Sequence, residues 1–478
     1  MFSKKADSMI QSDEYTPLRP SEGLPRLTKP VVLATLTVCL GSLSFGFVMS
    51  YPSPVQKDLQ DKLNWSDEQL SWFSSLPALG AMFGALIGSR TIDKLGRKFN
   101  IMACSVPLVA GWIIIAAAKA LSLFYVGRFI SGLGIGAISL TVPLYIAEIS
   151  PAKYRGALGS ANQLGVTSGG LLAYSFGAGL NWHWLAIAGA IPPTIVAVFM
   201  MGFPETPRWL IKNGRMNEAC HVLEFLRKTS DEECRNECTE IRNTLEIDEP
   251  ISLKEFTKPT IYRPFIISIM LMVFQQFSGI NTVVAYASHM LRDADFSDPN
   301  LAVIAIGAVQ LSGTATSCLI VDKVGRRLLL TFPTTIMCAS MIVLGASRYF
   351  QDFPSSVTLI TLCCYLIGFS FGLGPIPWLI MSEIFPTNVR GVASGIATQV
   401  NWLGAFTVMR FYVNMEKTMH SYGCYWFYAA VCLVSVIYVL VFLPETKGKT
   451  LEEVEKLFEK QSDLKTPDSF RHYNGILS

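Results

Sequence analysis

The sequence predicts an all-α membrane protein: twelve transmembrane helices in two six-helix pseudo-repeats, joined by a cytoplasmic helical linker. Three observations predict it. The 478 residues are 51% hydrophobic and only 16% charged, with a mean hydropathy of +0.39, whereas a soluble domain is about a quarter charged. The apolar residues gather in runs of about 20, enough for a helix to cross a bilayer core, and no period-2 alternation of barrel type accompanies them. Three charged motifs occur twice in the same order. Asp93-Lys-Leu-Gly-Arg-Lys98 returns as Asp322-Lys-Val-Gly-Arg-Arg327. Glu148 ahead of Arg155-Gly156 returns as Glu383 ahead of Arg390-Gly391, and Pro204-Glu-Thr-Pro-Arg208 as Pro444-Glu-Thr-Lys-Gly448. Such an ordered repeat marks a duplicated membrane protein, in which the substrate path runs between the halves.

Residues 1–30 form a polar cytoplasmic tail with no apolar run of signal-peptide type. The N-terminal half, 31–203, holds spans at 31–51, 70–90, 100–118, 123–146, 156–180 and 184–203. A polar linker, 204–263, follows, in which Met216–Lys228 and Glu232–Leu245 have amphipathic helical spacing. The C-terminal half, 264–443, holds spans at 264–290, 302–321, 329–348, 357–382, 391–413 and 423–443, and a tail runs over 444–478. Lys and Arg crowd the loops that carry the repeated motifs, which places those loops and both termini in the cytoplasm. The sequon Asn64-Trp65-Ser66 lies in the first outer loop, so Asn64 is a candidate glycosylation site.

Composition also narrows the partners. The net charge of +3 comes with no nucleic-acid motif or dense basic patch, so the expected partners are the lipid bilayer and a small substrate. Most of the eleven cysteines, among them Cys39, Cys104, Cys318 and Cys363-Cys364, sit in apolar runs as small core residues. Cys234 and Cys238 have helical spacing in the linker, but no His or second Cys pair accompanies them and no metal is expected there.

Each repeated motif puts acids and bases at a cytoplasmic helix end. Arginine forms forked bonds to carboxylates, so Asp93, Arg97, Arg155, Arg208, Asp322, Arg326, Arg327 and Arg390 are read with Glu148, Glu205, Glu383 and Glu445 as a cytoplasmic gate that breaks on opening. Fixing topology explains the bases but not the matching acids.

Polar side chains inside the spans point to a cavity. Gln163 lies in span five, Gln275, Gln276 and Asn281 around Gly279 in span seven, Gln310 in span eight and Asn401 beside Trp402 in span eleven. Apolar spans keep such amides where they face a pathway or another helix. Gly372, Gly374, Pro375 and Pro377 ahead of Trp378 predict a break in span ten, with carbonyls exposed to that cavity. Amides donate and accept and tryptophans stack, which suits a sugar.

The motifs together resemble the sugar-porter branch of the major facilitator superfamily over residues 30–460. The resemblance rests on Gly127-Arg128-Phe129, Pro143-Leu-Tyr-Ile-Ala-Glu148, Pro204-Glu-Thr-Pro-Arg208, Gln275-Gln276-Phe-Ser-Gly279-Ile-Asn281, Gly374-Pro-Ile-Pro-Trp378 and Pro444-Glu-Thr-Lys-Gly448. Within it the chain is similar to facilitative hexose transporters of the intracellular type and to insect trehalose transporters. The resemblance implies the major facilitator fold and hexose contacts at Gln163, Gln275, Gln276, Asn281 and Asn401, beside Trp378 and Trp402. It also implies an outer-gate aromatic at Tyr286. Several positions depart from the pattern: Gln310 replaces a usual Asn, Ser370 a frequent Glu, Ala285 a second gate tyrosine and Ala405 a frequent polar residue, while Met272-Val273-Phe274 replaces the Gln-Leu-Ser of some glucose-selective members. A roomier wall at Ala285, Ser370 and Ala405 would suit a disaccharide.

Proton-coupled relatives carry an Asp where this chain has Val48, and Gly41–Ser50 contains no ionisable residue. The expectation is therefore a uniporter, with glucose or a related hexose as substrate and no cofactor. A trehalose facilitator, a sugar–proton symporter and a non-transporting sugar sensor stand as alternatives, and no enzymatic motif is present. In the tail, Tyr15-Thr-Pro-Leu18 fits a clathrin-adaptor signal, which would add endosomal or lysosomal membranes to the plasma membrane.

Overall fold

A computed structural model describes residues 27–246, 257–294, 296, 298–321, 323–350, 353–385, 389–447 and 458. Every element with regular structure among them is helical. In chain order the first ten helices are α1 (Lys29–Ser50), α2 (Pro52–Leu63), α3 (Asp67–Leu95), α4 (Arg97–Ala117), α5 (Leu121–Ile149), α6 (Arg155–Gly177), α7 (Trp182–Phe199), α8 (Pro207–Lys212), α9 (Met216–Arg227) and α10 (Asp231–Glu246). The rest are α11 (Pro259–Phe277), α12 (Ile280–Arg292), α13 (Pro299–Ile320), α14 (Arg326–Phe350), α15 (Ser355–Phe371), α16 (Ile376–Ile384) and α17 (Arg390–Phe442).

Local chemistry explains the boundaries. Proline sits in the first turn of α1, α2, α8, α11, α13 and α16, where its missing N–H has no intrahelical partner to lose. Ser66 and Gln69 close a reciprocal capping box that starts α3. Gly96, at φ +92°, separates α3 from α4 in a conformation that costs a side-chain-bearing residue more. The first outer loop of the sequence reading is itself helical over α2, and the sequon forms the corner after it: Asn64 is exposed at φ 53°, and Trp65 is buried against Phe73 and Phe124.

Among the described residues, ten helical stretches are long and apolar enough to cross a membrane. Two differences separate this from the twelve spans expected. Helix α6 is long but falls short in apolarity, because Ser160, Asn162, Gln163, Thr167 and Ser168 punctuate it. Helix α17 is a single run of 53 residues, about twice what one bilayer crossing needs, and it breaks at His420 (φ 57°, ψ 169°) into 390–419 and 421–442. The loop expected between spans eleven and twelve is therefore helical up to His420, which supplies the turn.

Helices α1 and α3 to α7 pack on one another, as do α11 and α13 to α17. The two sets meet along α3 with α17, α6 with α13 and α2 with α12. Close approach inside the first set relies on glycine: a Cβ on Gly136 of α5 would overlap the Ala81 carbonyl of α3. The linker helices α8 to α10 have a small core of their own, with Leu210, Ala219, Leu223, Cys234 and Cys238 buried. They dock on the first set, where Arg227 donates to the Ile149 carbonyl (2.7 Å) and Trp209 to the Asp93 carbonyl (2.8 Å). Cys220 comes within 3.2 Å of Cys238, a neighbour that the linker spacing did not reveal.

Candidate functional site

Span seven breaks at Gly279, whose φ of +94° separates α11 from α12. A Cβ there would lie 2.6 Å from the Tyr428 ring, so glycine is needed for space as well as for backbone angle. The break is braced: Tyr365 Oη donates to the Ser278 carbonyl (3.0 Å), and Ser278 Oγ to that of Gln275 (2.8 Å). Helix α15 ends at Phe371 and α16 resumes at Ile376.

Four amides close on one another between these two breaks. Asn281 Nδ2 donates to Gln276 Oε1 (2.5 Å), Gln276 Nε2 to Asn401 Oδ1 (3.0 Å), and Asn401 Nδ2 to Gln275 Oε1 (2.6 Å). Gln275 Nε2 then donates to the carbonyls of Leu373 (2.6 Å) and Gly374 (3.0 Å). The carbonyls expected to face a cavity are thus capped by Gln275. Three of the four amides are buried, and Asn281 is half-buried. Buried amides must find partners, and here each finds another amide that a hydroxyl-bearing ligand could replace.

The other candidates lie around this chain of amides in different states. Trp402 is buried with no partner for Nε1, its ring 5.4 Å from that of Phe45 on α1. Gln163 and Gln310 are half-buried and hold no side-chain hydrogen bond among the described residues. Trp378 is half-buried against the cluster of Met272, Met381 and Phe385. The expected roomier wall is not found. Ala285 and Ala405 are fully packed, and the Ser370 hydroxyl is taken up between Thr314 and the Gln310 carbonyl.

The face carrying the repeated motifs holds two matching clasps. In the first, Arg97 pairs with Glu148 (3.0 Å, both nearly buried) and with Asp93 (3.4 Å). Glu205 accepts from the backbone N–H of Arg97 and Lys98, and Thr206 Oγ1 donates to Glu148 (2.6 Å). In the second, Arg326 pairs with Glu383 (2.9 Å), Glu445 accepts from the N–H of Arg326 and Arg327, and Thr446 Oγ1 donates to Glu383 (2.6 Å). Burial pushes the Glu205 carboxyl above its ordinary pKa against its hydrogen bonds. Burial acts the same way on Glu445, but the N–H donors of Lys447, Arg326 and Arg327 outweigh it and hold that carboxyl low.

Each clasp closes within one set of helices, so no described ion pair on this face joins the two sets. Arg155 and Arg208 are exposed and enter no ion pair among the described residues, although Arg155 donates to the Ala147 carbonyl (3.2 Å). Arg390 begins α17, with its side chain outside the described residues. Asp322 and Tyr15–Leu18 lie outside them as well.

The two sets are joined on the opposite face, which carries Asn64. Ser53 and Ser288 share a hydrogen bond (2.9 Å), Ser71 donates to the Arg410 carbonyl (2.6 Å), and Arg410 pairs with Glu68 (3.1 Å). Tyr286 is buried there, its ring 5.0 Å from that of Tyr412. On the motif face, by contrast, a Cβ on Gly159, Gly391 or Gly395 would meet nothing within 4 Å. Sequence reasoning missed Arg410, although an ionisable residue inside an apolar span is a signal in itself. It also missed Thr206 and Thr446, which stand inside quoted motifs.

Arg128 is fully buried and pairs with no acid among the described residues. Its Nε donates to the Phe73 carbonyl (3.0 Å) and its Nη1 to the Val48 carbonyl (2.7 Å), while the guanidinium lies 5.0 Å from the centre of the Phe73 ring.

The sequence and fold are similar to those of known sugar transporters. The sequence model of the "Sugar (and other) transporter" family matches residues 34–458. The facilitated glucose transporter member 8 of solute carrier family 2 from Mus musculus is 39% identical over 471 residues, covering 92% of this chain and 97% of that one. The facilitated trehalose transporter Tret1 of Apis mellifera ligustica is 36% identical over 475 residues, covering 96% and 94%. The partially occluded inward open conformation of the E. coli xylose transporter XylE superimposes with a TM-score of 0.78 at 26% identity, covering 88% of this chain and 100% of that one.

Proposed function

We propose, for a chain that belongs to the sugar transporter family, that it carries a hexose across a membrane by facilitated diffusion and alternating access. One observation carries the reading: the chain of amides Gln275, Gln276, Asn281 and Asn401, three of them buried, set between the breaks of spans seven and ten. A sugar hydroxyl both donates and accepts, so it replaces an amide–amide bond without leaving a polar atom unpaired. Trp402 Nε1, Gln163 and Gln310 supply further partners, and Trp378 an apolar face. In this reading the molecule faces inward, with the Asn64 face shut by Ser53–Ser288 and Glu68–Arg410 and Tyr286 acting as outer-gate aromatic.

Uniport is supported by Arg128, whose Nη1 donates to the Val48 carbonyl at the position where a proton-coupled carrier would need a carboxylate. A trehalose substrate is the second reading, favoured by the similarity to the honeybee protein. In the proposed topology the motif face and both termini are cytoplasmic, Asn64 is glycosylated, and Tyr15–Leu18 recruits clathrin adaptors. Proteoliposomes carrying the purified chain test the core of this reading. Labelled glucose should equilibrate without an imposed pH gradient, and accumulation above the outside level driven by that gradient would overturn uniport. Competition by fructose, galactose and trehalose ranks the substrates.

A further inference from the structure

On the Asn64 face, three potential metal ligands converge from two helices. His289 and Asp293 end α12, and Glu416 lies in α17 before its break at His420. One ligand atom from each falls within 4.8 Å of the others, with His289 Nδ1 3.0 Å from Asp293 Oδ2. Glu416 is oriented by Tyr412, whose hydroxyl donates to Oε1 (3.1 Å), the kind of outer support that metal ligands use. Beside them is a cavity of about 70 Å³, room for an ion and a water. Two nearly inaccessible side chains line it with unpartnered oxygens: Gln56 Oε1 from α2 and Tyr286 Oη from α12. An acceptor and a hydroxyl left without partners in a buried space call for a donor such as a metal-bound water. Asp67 lines the same space and offsets the charge of Lys417.

We propose that His289, Asp293 and Glu416 form a zinc site, with the fourth position held by a water that hydrogen-bonds Gln56 and Tyr286. One imidazole and two carboxylates suit zinc, which is commonly held by three protein ligands and a water. Magnesium and calcium favour all-oxygen sets. The site ties α12, the segment beyond the Gly279 break, to α17 and, through the water, to α2 of the other helix set. Bound zinc therefore holds the Asn64 face closed. This consequence for transport rests on the proposed function, whereas the site itself does not.

The experiment uses the purified full-length chain. Zinc titrated against a chromophoric chelator should show one site in the wild type that is lost, or weakened roughly tenfold or more, in both His289→Ala and Glu416→Gln. Unchanged zinc affinity and stoichiometry in the two folded variants would overturn the site. If one variant fails to fold, the other with Asp293→Asn decides. In proteoliposomes, zinc added to the Asn64 side should slow sugar uptake in the wild type and not in His289→Ala, and equal slowing of both would overturn the gate. Absence of any uptake before zinc is added would refute the transport reading and leave the titration to decide the site.

Discussion

Individual side chains carry the sharpest predictions. Gln276 both donates to Asn401 and accepts from Asn281, so Gln276→Ala leaves one buried and one half-buried amide short of a partner. Each unmet group costs about 1–3 kcal/mol. Sugar uptake should fall roughly tenfold or more while surface abundance holds, and normal uptake would remove Gln276 from the site. The Arg97–Glu148 pair is nearly buried, and breaking such a pair by removing one charge costs about 3–5 kcal/mol. Glu148→Gln should therefore lower the thermal unfolding midpoint more than Glu383→Gln, because the Glu383 carboxylate is the more exposed of the two. At this scale the amides were legible because polar residues are rare in apolar spans. Their pairing was not, since a linear sequence does not say whether Gln275 faces a void or a carbonyl. Nor was the zinc triad, because His289 and Asp293 stand in a span end and Glu416 lies far along the chain.

Helical elements add two predictions. The α11–α12 break depends on Gly279, and Gly279→Ala adds about 1–3 kcal/mol of backbone strain to a clash with Tyr428. Little folded protein should be recovered, and pairing it with Tyr428→Ala should restore part of the yield. The two clasps should respond oppositely to acid. Glu445 is held below its ordinary value, so its stabilisation is full above the unfolded-state pKa and is lost as pH falls through the lower folded value. Glu205 is raised, so its contribution is present at low pH and lost as pH rises through the higher folded value. As pH falls below about 4, protection from hydrogen exchange, relative to intrinsic rates, should drop at the Arg326 and Arg327 amides but not at those of Arg97 and Lys98. Parallel behaviour would contradict this assignment. The breaks at Gly279 and Gly372–Pro375 were readable from glycine and proline. The helical α2 and the unbroken approach of α17 to His420 were not, since polar helices between spans look like loops to a hydropathy reading.

For the whole molecule, the repeated motifs revealed the duplication, whereas they could not show that each charge cluster closes within its own helix set. A motif reports which residue types recur, and only packing decides whom they face. Closure of the Asn64 face is testable through Ser53 and Ser288, whose oxygens lie 2.9 Å apart. In a Ser53→Cys/Ser288→Cys double variant, oxidation should stop uptake and reductant should restore it, and uptake unaffected by oxidation would argue that this contact does not open during transport. The shortfall in apolarity of α6 also has a consequence for how the protein is made. As the chain is synthesised, α6 is driven into lipid less strongly by its own hydrophobicity than the ten more apolar stretches are. It needs a polar shelter, and α1, already present, supplies one through the Ser42–Asn162 hydrogen bond of 2.6 Å. Another neighbour that it packs against along its length, α13, emerges more than a hundred residues later. Membrane entry of α6 is therefore a cooperative act with α1, and biogenesis is most vulnerable while α6 waits for the second half to be translated.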